Sequence, residues 1–161
     1  MDDTRQTNLT IRRAERADLA GIIALDEVVT GESKPEYWLD IFERFGERRP
    51  TERHFLIAEA DKGSKRFLGA IVGEVRAWEF GSPPCGWVFS IQVVQSERQG
   101  GVGTHLLEAL CAAFREAGVT KLRTVISRDN LLLMSFFRSQ GMMGGPYLQL
   151  EMDLASDGPA P

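Results

Sequence analysis

Val88-Phe89-Ser90-Ile91-Gln92-Val93-Val94 runs into Gln95-Ser96-Glu97-Arg98-Gln99-Gly100-Gly101-Val102-Gly103, and then into Thr104-His105-Leu106-Leu107-Glu108-Ala109-Leu110. The first part alternates and is rich in β-branched residues, the pattern of a strand. The last part places apolar residues at 106, 107, 110 and 114, which is helical spacing. Gly100, Gly101 and Gly103 lie in the turn between them. Glycine reaches backbone conformations closed to other residues and lets a ligand come close. The bare N–H groups at a helix start, with the helix dipole, favour an anion. Strand, glycine turn and helix start together predict a pyrophosphate cradle.

Two familiar phosphate motifs do not fit. A P-loop needs Lys and Ser or Thr after its last glycine, and Gly103 is followed by Thr104-His105. A dinucleotide fingerprint needs a third glycine where Leu106 stands. What fits is Arg98-x-x-Gly101-x-Gly103 directly after a strand. This resembles the acyl-CoA-binding motif of the GNAT superfamily of N-acetyltransferases.

The chain of 161 residues is long enough for one domain with a real core. Its net charge of -4, without a basic stripe, argues against a nucleic-acid partner and mildly favours cationic acceptors. Cys85 and Cys111 have no metal-ligand spacing, so no metal and no disulfide framework are expected, and a reducing cytoplasm fits. Cys111 is expected in the core. No signal peptide is visible after Met1-Asp2-Asp3-Thr4-Arg5, and no apolar run is long enough for a membrane span.

In order, residues 1–8 are expected to fray, and Leu9-Thr10-Ile11-Arg12 to form a short strand. Leu19, Ile22, Ile23 and Val29 mark one face of a helix over 18–29. Ser33-x-x-Glu36 reads as a capping box with Pro35 in the first turn. A second helix follows, with Trp38, Ile41, Phe42 and Phe45 as a core stripe. Strands are expected over 54–60, 66–78 and 87–94, joined by turns at 61–64 and 81–84. Gly69 and Gly73 mark bulge or close-approach sites. After the glycine-turn helix, Gly118 is the stop. A strand over 121–126, a helix over 130–140 and a last strand over 147–154 complete the order. The result is a mixed, mostly antiparallel α/β sheet with helices on both faces, in a single domain spanning 1–161. It is similar to the GNAT fold, with its sheet of about seven strands, over roughly 9–154.

The downstream segment strengthens the resemblance. Asn130, Phe136 and Gly141 stand where the family has Asn, Phe and Gly. Phe137 stands where the family usually has a Tyr, which in many members donates a proton to the departing thiolate. The carboxylates that some members carry on the strand before the glycine turn are also absent, since Phe89 and Ser90 occupy those positions, as Val125 does for another. The resemblance implies acetyl-CoA as acyl donor. Its pyrophosphate would meet the amides of Arg98, Gln99, Gly100, Gly101, Val102, Gly103 and Thr104. Its pantetheine arm would lie along Ile91, Val93 and Val94, with Asn130, Phe136 and Phe137 completing the site. An amide near Val93 would polarise the thioester carbonyl. A homodimer is allowed.

The acceptor amine needs a base, because a lysine-like amine of pKa about 10.4 is mostly protonated at neutral pH. Glu59, Glu74 and Glu79 lie on strands or strand ends near the implied acceptor side, and Tyr147 or Ser127 could supply an acid. Glu74, Glu79 and Tyr147 are the catalytic candidates. His54 reads as a satisfied strand histidine and His105 as an exposed one. Three functions remain open: an N-acetyltransferase acting on a primary amine of a small molecule or a protein, a catalytically weak acyl-CoA sensor, and a nucleotide-binding regulatory domain.

Overall fold

The computed structural model describes residues 8–60, 65–76 and 79–155. The expected turn at 61–64, the strand end at 77–78, the first seven residues and the tail after 155 lie outside them. The chain divides into two compact units, Met1–Val125 and Ile126–Pro161.

The first unit holds β1 (Leu9–Arg13), α1 (Leu19–Thr30), α2 (Pro35–Ile41), β2 (Arg53–Ala60), β3 (Phe67–Arg76), β4 (Cys85–Val93), α3 (Val102–Glu116) and β5 (Leu122–Thr124). The strands form one sheet in the order β1-β2-β3-β4-β5. Neighbours are antiparallel except β4 and β5, which run parallel. Alternate residues of the central strands face opposite layers. On one face, Phe55 and Ile57 of β2 and Ala70 and Val72 of β3 pack with Leu19, Ile22, Trp38, Ile41, Phe42 and Phe45. On the other, Leu110 and Phe114 of α3 press on β3 and β4 at Gly73 and Gly86. Strands covered on both faces read as unbroken apolar runs, which is why His54–Ala58 and Leu68–Val72 are buried without alternation.

Gly73 is a close-approach site. A Cβ there would stand 2.5 Å from the Trp87 carbonyl oxygen and 2.9 Å from Leu110. The β3–β4 register shifts at the same point: Val72 opposes Ser90, Gly73 opposes Val88, and Phe89 is the extra residue of a bulge.

Several expectations need correction. α2 starts one residue later than its capping box implies, with Lys34 as an N-cap lacking a side-chain capping bond and Pro35 as the first helical residue. The residue before a proline resists helical angles, while proline itself favours the first helical position. The aromatic stripe is core, but its second half, Phe42–Glu47, winds as a π-helix. Val29 lies on the exposed side of α1, and the buried face continues instead through Asp26. Cys111 is half-buried, whereas Cys85 is buried. β5 is three residues long rather than six. Residues 147–154 form no strand, so the sheet has five strands rather than about seven. A strand needs a neighbour to take its N–H and C=O groups, and no ladder among the described residues includes this segment. Its alternating Leu148, Leu150, Met152 and Leu154 are all exposed.

In the second unit, α4 (Leu131–Ser139) begins at Asn130, whose Oδ1 accepts from the Leu133 N–H at 3.1 Å. Gly141, at φ +88, follows the helix end.

His54 of β2 is buried on the α3 face, edge-on to Phe114 with ring centroids 5.7 Å apart. Arg13 Nη2 lies 3.2 Å from its Nδ1. Burial, reinforced by the Arg13 charge, holds the imidazole below its ordinary 6.5. The unfolded chain therefore takes up this proton first as pH falls. Stability from this group is complete above 6.5 and is lost as pH drops from there through the folded-state value. Thermal melts between pH 8 and 5 should show the loss, and His54→Asn should flatten it. A wild-type melting temperature independent of pH over that window would contradict the assignment.

Candidate functional site

The sheet opens along β4. The parallel pairing with β5 covers only Gly86–Leu122, Trp87–Arg123 and Val88–Thr124. The Thr124 hydroxyl donates to the Val88 carbonyl at 2.7 Å and closes the last rung. The bulge at Phe89 follows immediately, and bulges bend and twist the strand that carries them. Beyond it, β4 stays paired to β3 as far as Val93, and the Val94 N–H donates to the Leu68 carbonyl at 2.9 Å. Backbone groups alternate in direction along an antiparallel ladder. With Val94 turned to β3, those of Ile91 and Val93 face the open β5 side. The Val93 carbonyl accepts a long bond, 3.4 Å, from Arg98 Nε.

At the end of this opening the chain makes a 3-10 turn, Gln95–Glu97, pinned by an ion pair of 2.8 Å between Glu97 and Arg66. Gly101 then takes φ +78 as the N-cap of α3. A side chain in that left-handed region is strained by about 1–2 kcal/mol. The His105 N–H donates to the Gly101 carbonyl at 3.0 Å, and His105 Nδ1 lies 2.8 Å from the same oxygen. Val102, Gly103 and Thr104 form the first turn, where a helix leaves its N–H groups without intrahelical partners. Ile91 through Thr104 are thus gathered at one end of the sheet, with a helix start closing the end of a strand gap.

Asn130, Phe136 and Phe137 belong to the second unit. Phe137 is buried and meets Phe136 edge-on at 5.2 Å. Asn130 spends its side-chain oxygen on capping α4.

The catalytic candidates have different local surroundings. Glu74 of β3 lies 3.6 Å from Arg53 Nε in an ion pair, on the face carrying α1 and α2. Glu59 is tied to Arg12 at 3.0 Å on the outer part of the sheet. Glu79 opens a short 3-10 turn, Glu79–Gly81. Tyr147 is exposed in the irregular segment of the second unit, and Ser127 is exposed with its Oγ accepting from the Asp129 N–H.

Sequence reasoning missed a buried carboxylate. Asp26 of α1 is 4% exposed. Gln92 of β4 donates to its Oδ1 at 2.8 Å, and Lys34 Nζ lies 3.0 Å from its Oδ2. Burial pushes this carboxyl up, but hydrogen bonding from Trp38, Lys34 and Gln92, with the Lys34 charge, outweighs it and holds the pKa below the usual 3.8. Gln92 on Oδ1 and Lys34 on Oδ2 are the closest contacts. A signal was present: Leu19, Ile22, Ile23 and Asp26 follow i, i+3, i+4, i+7, so a charge occupies an apolar-face position.

Comparison with known proteins agrees with this architecture. The model of the acetyltransferase (GNAT) family matches residues 19–142. An L-2,4-diaminobutyric acid acetyltransferase of Nocardia farcinica is 32% identical over 93 residues, which is 58% of this chain and 45% of that protein. The match therefore spans less than half the length of that relative. Among solved structures, the aminoglycoside N-acetyltransferase AAC(6')-Iy in complex with CoA superposes with a TM-score of 0.77 at 19% identity, covering 94% of this chain and 98% of that one. The aminoglycoside 6'-N-acetyltransferase AAC(6')-Ih of Acinetobacter baumannii gives 0.76 at 14% identity, covering 92% and 100%. No helix among the described residues is long and apolar enough to cross a membrane. With the strand gap, the glycine turn and the α3 start in place, the chain belongs to the GNAT family of acetyltransferase enzymes and has its fold.

Proposed function

We propose that this protein transfers an acetyl group from acetyl-CoA to a primary amine of a small molecule or a protein, in the cytoplasm, with the whole chain acting as one domain. The observation that carries the reading is the gap in the sheet after Val88–Thr124, lined by the backbone of Ile91 and Val93 and ending at the α3 start. The residues fit the donor: a glycine N-cap at φ +78 and first-turn amides receive a pyrophosphate, and the outward-facing backbone of Ile91 and Val93 receives an amide-bearing arm. The donor supplies an acylating thioester. The chain's part is to hold it extended, to polarise its carbonyl with an amide near Val93, and to present the amine from the α1–α2 side. The names of the relatives, a diaminobutyric acid and an aminoglycoside acetyltransferase, favour a small-molecule acceptor. No metal ligand is required, so a chelator should leave the rate unchanged. The same reading allows a homodimer, which sedimentation equilibrium tests.

The deciding experiment follows free thiol release from acetyl-CoA over a panel of amines. Release that depends on the amine supports the transferase. Tight acetyl-CoA binding without release for any amine selects the second reading, an acyl-CoA-binding sensor, which is motivated by the missing hydroxyl at Phe137. If the thiolate departs beside residue 137, Phe137→Tyr should raise kcat, because a positioned acid is worth up to ~10² or more. Melting temperature is measured alongside, since a hydroxyl buried without a partner costs about 1–3 kcal/mol. A destabilised variant with unchanged turnover would remove Phe137 from the thiolate's neighbourhood.

A further inference from the structure

Asp26 is a charge buried on the inner face of a helix. Its position on the inner face of α1 would be filled at lower desolvation cost by an apolar residue. Its surroundings have the chemistry of an ammonium site. Asp26 Oδ2 is buried, and its partner is the Lys34 ammonium at 3.0 Å. Gln92 fixes Oδ1 from β4, between the two residues whose backbones face the gap. The ring of Tyr37, exposed on α2, lies under the Lys34 ammonium at 5.9 Å. Carboxylate and aromatic face together select a cation.

The present occupant is Lys34, from the link between α1 and α2. Its ammonium lies 3.0 Å from Asp26 Oδ2, and its side chain is 31% exposed against 5% for the aspartate. The lysine therefore reaches the niche from the solvent side, while the carboxylate belongs to the interior. We propose that this niche is the acceptor's second recognition point: the non-reacting ammonium of a diamine displaces Lys34 and pairs with Asp26, so that Lys34 acts as a built-in competitor and the acceptors are diamines. The inference rests on the transferase reading and adds the acceptor's chemical class to it.

The test compares wild type, Lys34→Gln and Lys34→Gln/Asp26→Asn, each saturated with coenzyme A, titrated calorimetrically with 1,4-diaminobutane and with n-butylamine. Acetylation of the same two amines is followed in parallel. Removing an internal competitor raises the fraction of open sites and tightens apparent affinity in proportion. Lys34→Gln should therefore improve the diamine-to-monoamine affinity ratio by about tenfold if the lysine occupies the niche roughly nine-tenths of the time. The double variant should lose that gain. A ratio unchanged or lowered in Lys34→Gln overturns the proposal, and the single variant decides alone if melting shows the double variant unfolded. Acetylation of both amines with an unchanged ratio sinks the niche and keeps the transferase. The expected change in ratio with no acetylation of either amine sinks the transferase reading and keeps the niche.

Discussion

Gly103→Val should bind acetyl-CoA at least tenfold more weakly than wild type, and Gly101→Val should do the same. A hydrogen bond from a backbone N–H to a charged oxygen contributes about 1.5–3 kcal/mol, and about 1.4 kcal/mol is a factor of ten. Loss of one such bond is therefore enough. Gly103 is buried in the first turn of α3, so a branched side chain there must disturb the packing that holds the amides that would meet the pyrophosphate. Gly101 fails differently. Its φ of +78 is closed to valine, so the substitution shifts the N-cap itself and re-aims the turn. Calorimetry measures affinity and thermal melting confirms the fold. A folded variant with wild-type affinity would show that the cradle is elsewhere.

Phe55→Ala should destabilise the protein by about 3–5 kcal/mol, the usual cost of emptying a large aromatic site in a core. Phe55 is 0% exposed. Its ring lies 6.1 Å from Trp38 and 6.5 Å from Phe42, so it joins β2 to both the α2 helix and the π-helical stretch after it. Domains of this size are stable by about 5–15 kcal/mol, so the loss takes a fifth or more of the total. Denaturant unfolding should show a lowered midpoint. A shift under about 1 kcal/mol would mean that the neighbours collapse into the space.

The sequence read well where one chain segment carries its own signal. Val88 to Leu110 contains strand alternation, glycine punctuation and helical spacing in succession, and the structure has a strand, a turn with a left-handed glycine and a helix there. The aromatic stripe of Trp38, Ile41, Phe42 and Phe45 is buried for the same reason. The reading failed where the deciding partner lies far along the chain. Asp26 and Gln92 are 66 residues apart, and neither announces the other. Leu148 to Leu154 alternates as well as any strand here, yet alternation states only that a segment could pair. The length of β5 was equally illegible. Its pairing stops next to the β4 bulge opposite Gly73, a property of two other strands.

That bulge has an evolutionary corollary. One extra residue, Phe89, separates the part of β4 that pairs with β5 from the part that does not. Removing it would restore an even ladder against β3 without changing any register partner, and a straighter β4 would let β5 continue alongside. The opening is thus inherited as a chain length rather than as a set of side chains. A lineage could drift through many substitutions along Ile91–Val94 and keep the bulge, whereas deletion of Phe89 is expected to remove it in one step.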